Sequence, residues 1–247
     1  MIIVNADDWG HDTLTTDRTR DCVRLGTVSA VSAMVWMTDS KRAALIAGQE
    51  GIDASLHLNL TSPFSAPLVP SRVKQQQEKI ARYLRSSRFA PAMYHPGLKR
   101  SFEYVVAAQI DEYERLYGVR PCRIDGHHHM HLSANVLVGK LLPKGTVVRR
   151  SFTFRTGEKS LVNRGFRKLV NAMLARRHQL TDFFFALPPM DDTRMQAILR
   201  LAANSVVELE CHPVNSDEYA FLTSGGISRF SEPVELSSFA RQFSFGS

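Results

Sequence analysis

The chain has 247 residues, of which 44% are hydrophobic and 22% are charged, and its formal net charge is +7. These values are typical of a globular chain that buries its own core, and they exclude wholesale disorder. Its three cysteines are far apart and include no CxxC pair, which argues against a disulfide framework and against a thiolate zinc site.

The N-terminus combines a short apolar run with an early pair of acidic residues, Asp7 and Asp8. A signal peptide would need a charged region before a longer apolar run, and a membrane span would need about 18 apolar residues. The sequence has neither pattern, so we predict a cytoplasmic protein with no integral membrane segment.

The first sixty residues alternate between strand and helix patterns. Apolar or β-branched runs predict strands at 2–5, 28–36 and 52–60, and helix-compatible segments at 12–25 and 39–48 separate them. This β-α-β-α-β order predicts a parallel sheet with helices outside it, in the α/β class.

Residues 61–100 interrupt this rhythm. Prolines break the beginning of the segment, a helix is predicted at 73–84, and 89–96 is typical of a loop. We interpret the segment as an excursion over the top of the sheet, within a single domain that spans 1–247.

The rest of the chain again alternates between helices and strands. Helices are predicted at 102–117, 162–177, 190–203 and 232–243, and strands at 123–125, 146–150, 183–185 and 206–211. Polar residues at the ends of these strands are the candidates for a site, because parallel α/β folds build their sites at the carboxyl ends of the strands.

Four such segments carry chemistry. Asp7 and Asp8 directly follow the first strand, and adjacent carboxylates leaving a strand point in different directions. His57 lies within the apolar third strand, and His212 ends the strand at 206–211 just before a proline. Taken alone, the acidic pair is better explained by a capped polar turn and His212 by a capped strand end, whereas His57 suits a core residue and a ligand equally well.

The strongest segment is Asp125-Gly126-His127-His128-His129-Met130-His131, which holds four of the nine histidines. On an extended segment, His127, His129 and His131 would share one side and His128 would face the other. Imidazole is a common ligand of divalent metals, and Asp125 could orient one ring. The convergence of all four segments on strand ends favours a metal site with an acid and a base.

Together these segments resemble the YdjC/ChbG (HpnK-like) family of carbohydrate deacetylases. The matching stretches are IIVNADDWG at 2–10, SLHLNLT at 55–61, RIDGHHHMH at 123–131 and ELECHP at 208–213, so the resemblance runs along essentially the whole chain. It implies a distorted (β/α) TIM-like barrel of mostly parallel strands, related to polysaccharide deacetylases. It also implies removal of an acetyl group from an N-acetylated sugar, in an oligosaccharide or a glycoconjugate, with one divalent metal ion.

By the same resemblance, Asp8, His57 and His127 correspond to the metal ligands, Asp7 to the catalytic base and His212 to the acid. Family members generally use magnesium, whereas an Asp-His-His set suits zinc equally well. The implied reaction is attack of a metal-activated water on the amide carbonyl. We also expect five residues to contact the substrate or to support the ligands: Asp125, His129, His131, Trp9 and Arg149.

Other function classes stay open. A metal-dependent phosphoesterase would suit the positive charge, and a catalytically silent sugar-binding module would keep the same fold.

Residues 72–100 hold eight Lys/Arg against one acid, and residues 140–178 hold eleven against one. We interpret these stretches as solvated helix faces, with a basic rim for an anionic substrate, partner or surface as the alternative. Since no nucleic-acid-binding motif accompanies the charge, we expect a small-molecule or oligosaccharide substrate and no nucleic acid. The family resemblance alone suggests a homodimer.

Overall fold

A computed structural model of the chain describes residues 1–154, 160–230 and 235–243. These residues form one seven-stranded sheet in the order β5-β4-β3-β2-β1-β7-β6, and all of its pairings are parallel. The strands are β1 (Ile2–Trp9), β2 (Ala30–Ala33), β3 (Ala54–Leu58), β4 (Arg123–Gly126), β5 (Val147–Val148), β6 (Phe183–Ala186) and β7 (Val207–Cys211).

The sheet curls until its two edges approach each other. Next to β5, the amide of Val148 donates to the carbonyl of Gln179 at 2.9 Å, and the amide of Thr153 donates to the carbonyl of Phe184 in β6 at 2.8 Å. The predicted distorted barrel of parallel strands is therefore confirmed, with seven strands.

Helices surround the sheet, and most of them lie where the sequence predicted them. Asp12 caps α1 by accepting a hydrogen bond from the amide of Thr15, and α4 ends at Gly118, whose positive φ of 74° suits glycine. The helices are α1 (Thr13–Arg24), α2 (Ser40–Glu50), α3 (Ser71–Leu84), α4 (Lys99–Tyr117), α5 (Ala134–Gly139), α6 (Leu161–Ala175), α7 (Asp192–Ala202), α8 (Ser216–Thr223) and α9 (Phe239–Gln242). The sequence patterns did not predict α5 and α8, which are short.

The last helix was predicted too long. Residues 232–234 of the predicted helix at 232–243 lie outside the described residues, and the helix of the described part is limited to α9. Before α9, the chain is extended: Leu236 forms a parallel bridge with Ile2, and the amide of Ser237 donates to the carbonyl of Ile2 at 2.8 Å. Pairing with the sheet therefore competes successfully with helix formation there.

The two faces of the sheet have different characters. Ile2, Val4 and Ala6 of β1 pack into the main hydrophobic core with the helices. Residues of the other parity point into the barrel, where Ile3, Ala30, Val147 and Phe239 form a separate apolar cluster. Beyond that cluster, towards the carboxyl ends of the strands, the interior becomes polar and charged.

Candidate metal centre with acid and base groups

A bulge at the end of β1 separates the directions of Asp7 and Asp8. The register between β1 and β2 shifts between Ala6 and Trp9, and Asp8 has a φ of 63°. A left-handed conformation is uncommon for residues other than glycine, although Asp adopts it more readily than most. Asp7 consequently points into the barrel, while Asp8 turns towards His57 and His127.

Asp8, His57 and His127 lie around one point. Oδ1 of Asp8 is 3.3 Å from Nε2 of His57 and 2.8 Å from Nδ1 of His127. One donor atom of each residue lies within 4.8 Å of the others. Burial alone would raise the pKa of Asp8, but hydrogen bonds with the two histidines hold it well below its usual range. The structure therefore brings together the three residues predicted to hold a metal.

Asp125 orients His57 from behind. Its Oδ1 lies 2.7 Å from Nδ1 of His57, which directs Nε2 of that ring towards Asp8. The other oxygen of Asp125 accepts hydrogen bonds from Ser32 at 2.6 Å and from Arg123 at 2.7 Å. Burial would lower the pKa of His57, but the nearby carboxylates, Asp7 first and then Asp125, outweigh it and raise the pKa to about 10. Such a carboxylate–imidazole pair is common behind metal-binding histidines.

Arg149 pairs with several buried carboxylates at once. Its guanidinium donates to both carboxylate oxygens of Asp7, at 2.6 and 2.7 Å, and to Glu208 at 2.7 Å. It also lies 3.1 Å from Asp125. Burial would raise the pKa of Asp7, but the charge of Arg149 and then that of His57 hold it below its usual value. Asp7 is therefore an ionised and firmly oriented carboxylate.

A second group of donors faces the first. Asp7, Glu210 and His212 offer atoms that lie within 4.8 Å of one another, and Nε2 of His212 is 3.8 Å from Oε1 of Glu210. Burial and the charge of Asp7 raise the pKa of Glu210 well above its usual value. The sequence reading did not single out Glu210. The alternation of Glu208 and Glu210 with apolar residues was the available signal, because it places both glutamates on the inner face of β7.

The histidine segment is not extended, so the predicted alternation of its side chains was wrong. Residues His127–Leu132 form a 3-10 turn in which His128 and His129 have φ values of 54° and 57°. The turn folds back over the end of β4, where a Cβ on Gly126 would come within 3.0 Å of the amide of His131. The four histidines of the segment therefore contact four different partners.

Only His127 of these histidines reaches Asp8. Nδ1 of His128 lies 3.0 Å from the hydroxyl of Thr61, and its ring lies beside that of His127. Nε2 of His129 is 3.7 Å from Glu210, and burial lowers the pKa of His129 to about 3. His131 is fully buried and donates from Nε2 to the carbonyl of Arg149 at 2.9 Å. His131 thus supports the segment that carries Arg149, and it has no exposed surface for a substrate.

Trp9 does not face the polar interior of the barrel, where Asp7 lies. It is fully buried in the main core with the helices, close to Tyr117. The bulge at Asp8 inserts one residue, which turns Trp9 to the apolar side of the sheet. The expectation that Trp9 contacts the substrate or supports the ligands therefore has no geometric basis.

The family model for YdjC-like proteins matches residues 1–238 of the chain. Among the described helices, none is long and apolar enough to cross a bilayer.

Curated relatives match a little over half of the chain. A carbohydrate deacetylase of Danio rerio is 30% identical over 138 residues, which cover 55% of this chain and 43% of the relative. A carbohydrate deacetylase of Mus musculus is 28% identical over 149 residues, covering 55% and 44%. A chitooligosaccharide deacetylase of Serratia marcescens is 29% identical over 140 residues, covering 55% and 52%. The chain thus spans about half the length of the curated relatives it matches.

A solved structure supports the fold. The crystal structure of a proposed cellobiose-phosphate cleavage protein of Enterococcus faecalis V583 aligns with a TM-score of 0.63 at 18% identity, over 98% of both chains. At this identity the likeness concerns the architecture alone.

Proposed function

The chain belongs to the YdjC-like family, and on that premise we propose that it is a metal-dependent hydrolase that removes the acetyl group from an N-acetylated sugar. The observation that carries the proposal is the convergence of Asp8, His57 and His127 beside the pair Asp7 and His212. Three ligands, a carboxylate base and an imidazole acid are the parts that amide hydrolysis needs. The names of the relatives support the choice of an acetylated sugar as the substrate.

The donor set fits a divalent metal. Asp8, His57 and His127 would hold the ion through one oxygen and two nitrogens, and His57 already has its other nitrogen engaged by Asp125. When bound, the ion would supply Lewis-acid polarisation and would lower the pKa of a water molecule. The family resemblance suggests Mg²⁺, whereas two imidazoles and one carboxylate are also a frequent set for Zn²⁺.

Asp7 is the proposed base, and its contacts determine which oxygen accepts the proton. Oδ1 receives hydrogen bonds from Asn5 at 2.8 Å and from Arg149 at 2.7 Å, whereas Oδ2 receives one from Arg149 at 2.6 Å. Oδ2 therefore keeps a free lone pair and takes the proton of the attacking water. Because Arg149 keeps Asp7 ionised, the base is ready before the substrate binds.

His212 is the proposed acid. Its side chain is 31% exposed, so it can meet a substrate that enters from solvent. Its backbone amide donates to Glu218 at 2.8 Å, which fixes the end of β7. From Nε2, His212 would protonate the amine nitrogen as the amide bond breaks.

The substitution Asp7→Asn tests the proposal directly. It removes the base but none of the three proposed metal ligands, so acetate release should disappear while the purified variant keeps its metal. Asp17→Asn, a change of the same kind at a carboxylate that is half exposed, should leave turnover unchanged. Wild-type turnover by Asp7→Asn would refute the assignment.

The same purified protein can distinguish the other function classes. A panel of N-acetylated sugars and phosphate esters should release acetate and no phosphate. Release of phosphate alone would favour a phosphoesterase, and binding of sugars without release of either product would favour a silent module.

A further inference from the structure

Two cavities lie side by side at the edge strand β6, and the three consecutive residues Phe152, Thr153 and Phe154 line both of them. Residues of β6 and α7 complete one cavity, and residues of α6 complete the other. Both helices bury side chains in the main core on the helix side of the sheet, Val170 from α6 and Ile198 from α7. The two cavities therefore lie on the same side of residues 152–154 and form one depression, the α6–α7 groove.

Each of the two helices presents one face to this groove. The lining residues of α6 are separated by three, one and three positions, and those of α7 have the same spacing, which places each set on one side of its helix. They are Arg164, Arg167, Lys168 and Asn171 on α6, and Arg194, Ala197, Ile198 and Leu201 on α7.

The two faces are turned towards each other. At 3.6 residues a turn, the α6 set lies about 90° from the buried Val170 and Leu174 in one rotational sense. The α7 set lies about as far from the buried face of α7 in the opposite sense. Because α6 and α7 both connect successive parallel strands, they run in the same direction, and the two sets face each other across the groove.

The α7 side of the groove is apolar. Its cavity has a volume of about 420 Å³, within the range of pockets for small molecules, and nine of its eleven described lining residues are apolar. The other two already have partners. The hydroxyl oxygen of Thr153 accepts from the amide of Phe184 at 3.1 Å, and Arg194 donates to the carbonyls of Leu187 at 2.9 Å and Pro189 at 3.1 Å. Such a wall favours an alkyl chain over a sugar or a nucleobase, whose polar edges would lose their hydrogen bonds to water.

The α6 side of the groove is cationic. Its cavity has a volume of about 130 Å³, no described lining residue is a carboxylate, and the cations are Arg150, Arg164, Arg167 and Lys168. Nε of Arg150 is buried and has no hydrogen-bond partner among the described residues. Burial lowers the pKa of Arg167, and it lowers the pKa of Arg150 by more than the charge of Asp182 raises it. Cations that are partly desolvated in this way would be stabilised by a bound anion.

We propose that the α6–α7 groove binds an alkyl phosphate, with the phosphate among the four cations and the chain in the apolar cavity. The cavities meet at residues 152–154, so head and chain can belong to one molecule. A phosphate group has three acceptor oxygens and nearly two charges, which suits several guanidinium groups better than a carboxylate does. None of the proposed metal ligands, the base or the acid is among the described lining residues, so the proposal is independent of the reaction proposed above.

Phe152 separates the groove from the candidate site. Its ring stacks on Phe184 with 4.5 Å between the centroids and lies edge-on to His129 at 4.6 Å. Nε2 of His129 is in turn 3.7 Å from Glu210. A ligand in the groove would therefore lie next to the candidate site, one aromatic ring away from His129.

Titration calorimetry of the full chain with butyl, hexyl and octyl phosphate tests the proposal. Affinity should increase by about fourfold for each added methylene, because each one leaves water for the apolar cavity. Octanol and inorganic phosphate should each bind on the order of tenfold or more weakly than octyl phosphate, since each lacks one half of the ligand.

Two variants address the two halves of the groove separately. Arg164→Gln combined with Lys168→Gln should weaken the binding of all three alkyl phosphates by on the order of tenfold or more and leave the effect of chain length unchanged. Ala197→Phe fills the apolar cavity, so it should abolish the gain from butyl to octyl phosphate.

Matched variants control for general effects. Lys79→Gln with Arg82→Gln removes two exposed charges from α3, and Ala172→Phe adds a ring at an exposed position of α6 outside the groove. Asp8→Ala removes a proposed metal ligand and tests whether the phosphate binds at the metal centre instead. All three should bind octyl phosphate like the unchanged protein, and circular dichroism should find every variant folded.

Several results would overturn the proposal. These are an affinity that does not depend on chain length, octanol binding as tightly as octyl phosphate, and equal losses in the α3 or Ala172→Phe controls. Loss of binding in Asp8→Ala would also overturn it, because the phosphate would then belong to the metal centre.

Discussion

Arg149 holds Asp7 by both carboxylate oxygens, at 2.6 and 2.7 Å, in a pair in which both residues are buried. The two residues are 142 positions apart in the chain. A planar guanidinium is able to form such a fork, whereas the single ammonium of lysine is not. The pair therefore fixes both the charge and the direction of the proposed base.

Arg149→Lys should separate these two contributions. The substitution keeps a positive charge beside Asp7 but loses the fork, so the carboxylate can rotate. We expect kcat to fall by on the order of 100-fold, because a small misplacement of a reacting group has an effect of that size. KM and metal content should change little, and acetate-release kinetics with metal analysis measure all three.

Arg150→Lys is the matched control for this prediction. Arg150 is the next residue, and it donates to the carbonyls of Thr181 and Asp182 rather than to Asp7. The kcat of the Arg150→Lys variant should stay at the wild-type value. An Arg149→Lys variant with unchanged kcat would mean that the orientation of Asp7 does not limit the reaction.

His127→Ala and His128→Ala should differ in metal affinity although the residues are neighbours. Nδ1 of His127 is 2.8 Å from Asp8, whereas His128 contacts Thr61 instead. Because His127 is a proposed ligand, its loss should weaken binding by on the order of 100-fold or more, beyond the effect of a supporting residue. Titration calorimetry with Mg²⁺ and Zn²⁺ measures both variants, and equal losses would contradict the proposed ligand set.

The sequence predicted the place of the site better than its internal geometry. Because parallel strands end at one edge of a sheet, the positions of Asp8, His57 and His127 at strand ends already predicted that they meet. The direction of Asp8 depends on a bulge, and bulges follow from local backbone geometry that residue patterns do not reveal. The pairing of Arg149 with Asp7 depends on tertiary packing across the barrel, which no local pattern reports.

Trp9 illustrates the same limit. In a regular strand it would point to the same side as Asp7, into the barrel, where it could contact a substrate. The inserted residue at Asp8 reverses that parity, and the indole enters the helix-side core. The prediction of an extended histidine segment was wrong for a related reason. Two successive left-handed residues, such as His128 and His129, are rare outside glycine.

Trp9→Ala and Trp9→Phe should therefore affect stability and not substrate binding. Deleting a fully buried indole leaves a cavity, so the free energy of unfolding should fall by about 3–5 kcal/mol for alanine. Phenylalanine fills part of the space and should cost less, with an unchanged KM for the sugar. Urea unfolding and steady-state kinetics measure these quantities. A higher KM for Trp9→Phe at unchanged stability would indicate that Trp9 contacts the substrate.

His131 should make the stability of the fold sensitive to acid. It is fully buried, and burial lowers its pKa to about 4. In the unfolded chain the same side chain should titrate near its ordinary pKa of about 6.5. Between these two pKa values the unfolded state binds a proton that the folded state does not, so the free energy of unfolding falls as the pH falls from about 6.5 to about 4. The loss from this residue is at most about 3 kcal/mol. His129, whose pKa is lowered to about 3, acts in the same direction.

His131→Gln keeps an N–H donor for the carbonyl of Arg149 but does not titrate. The deficit in its free energy of unfolding relative to the wild type should therefore shrink as the pH is lowered through this window. Urea unfolding of metal-free protein at several pH values measures the deficit, with His11→Gln at the partly exposed His11 as the control. A deficit for His131→Gln that stays constant across the window would mean that His131 gains its proton equally in both states, which the burial of its ring and its role as a donor to Arg149 argue against.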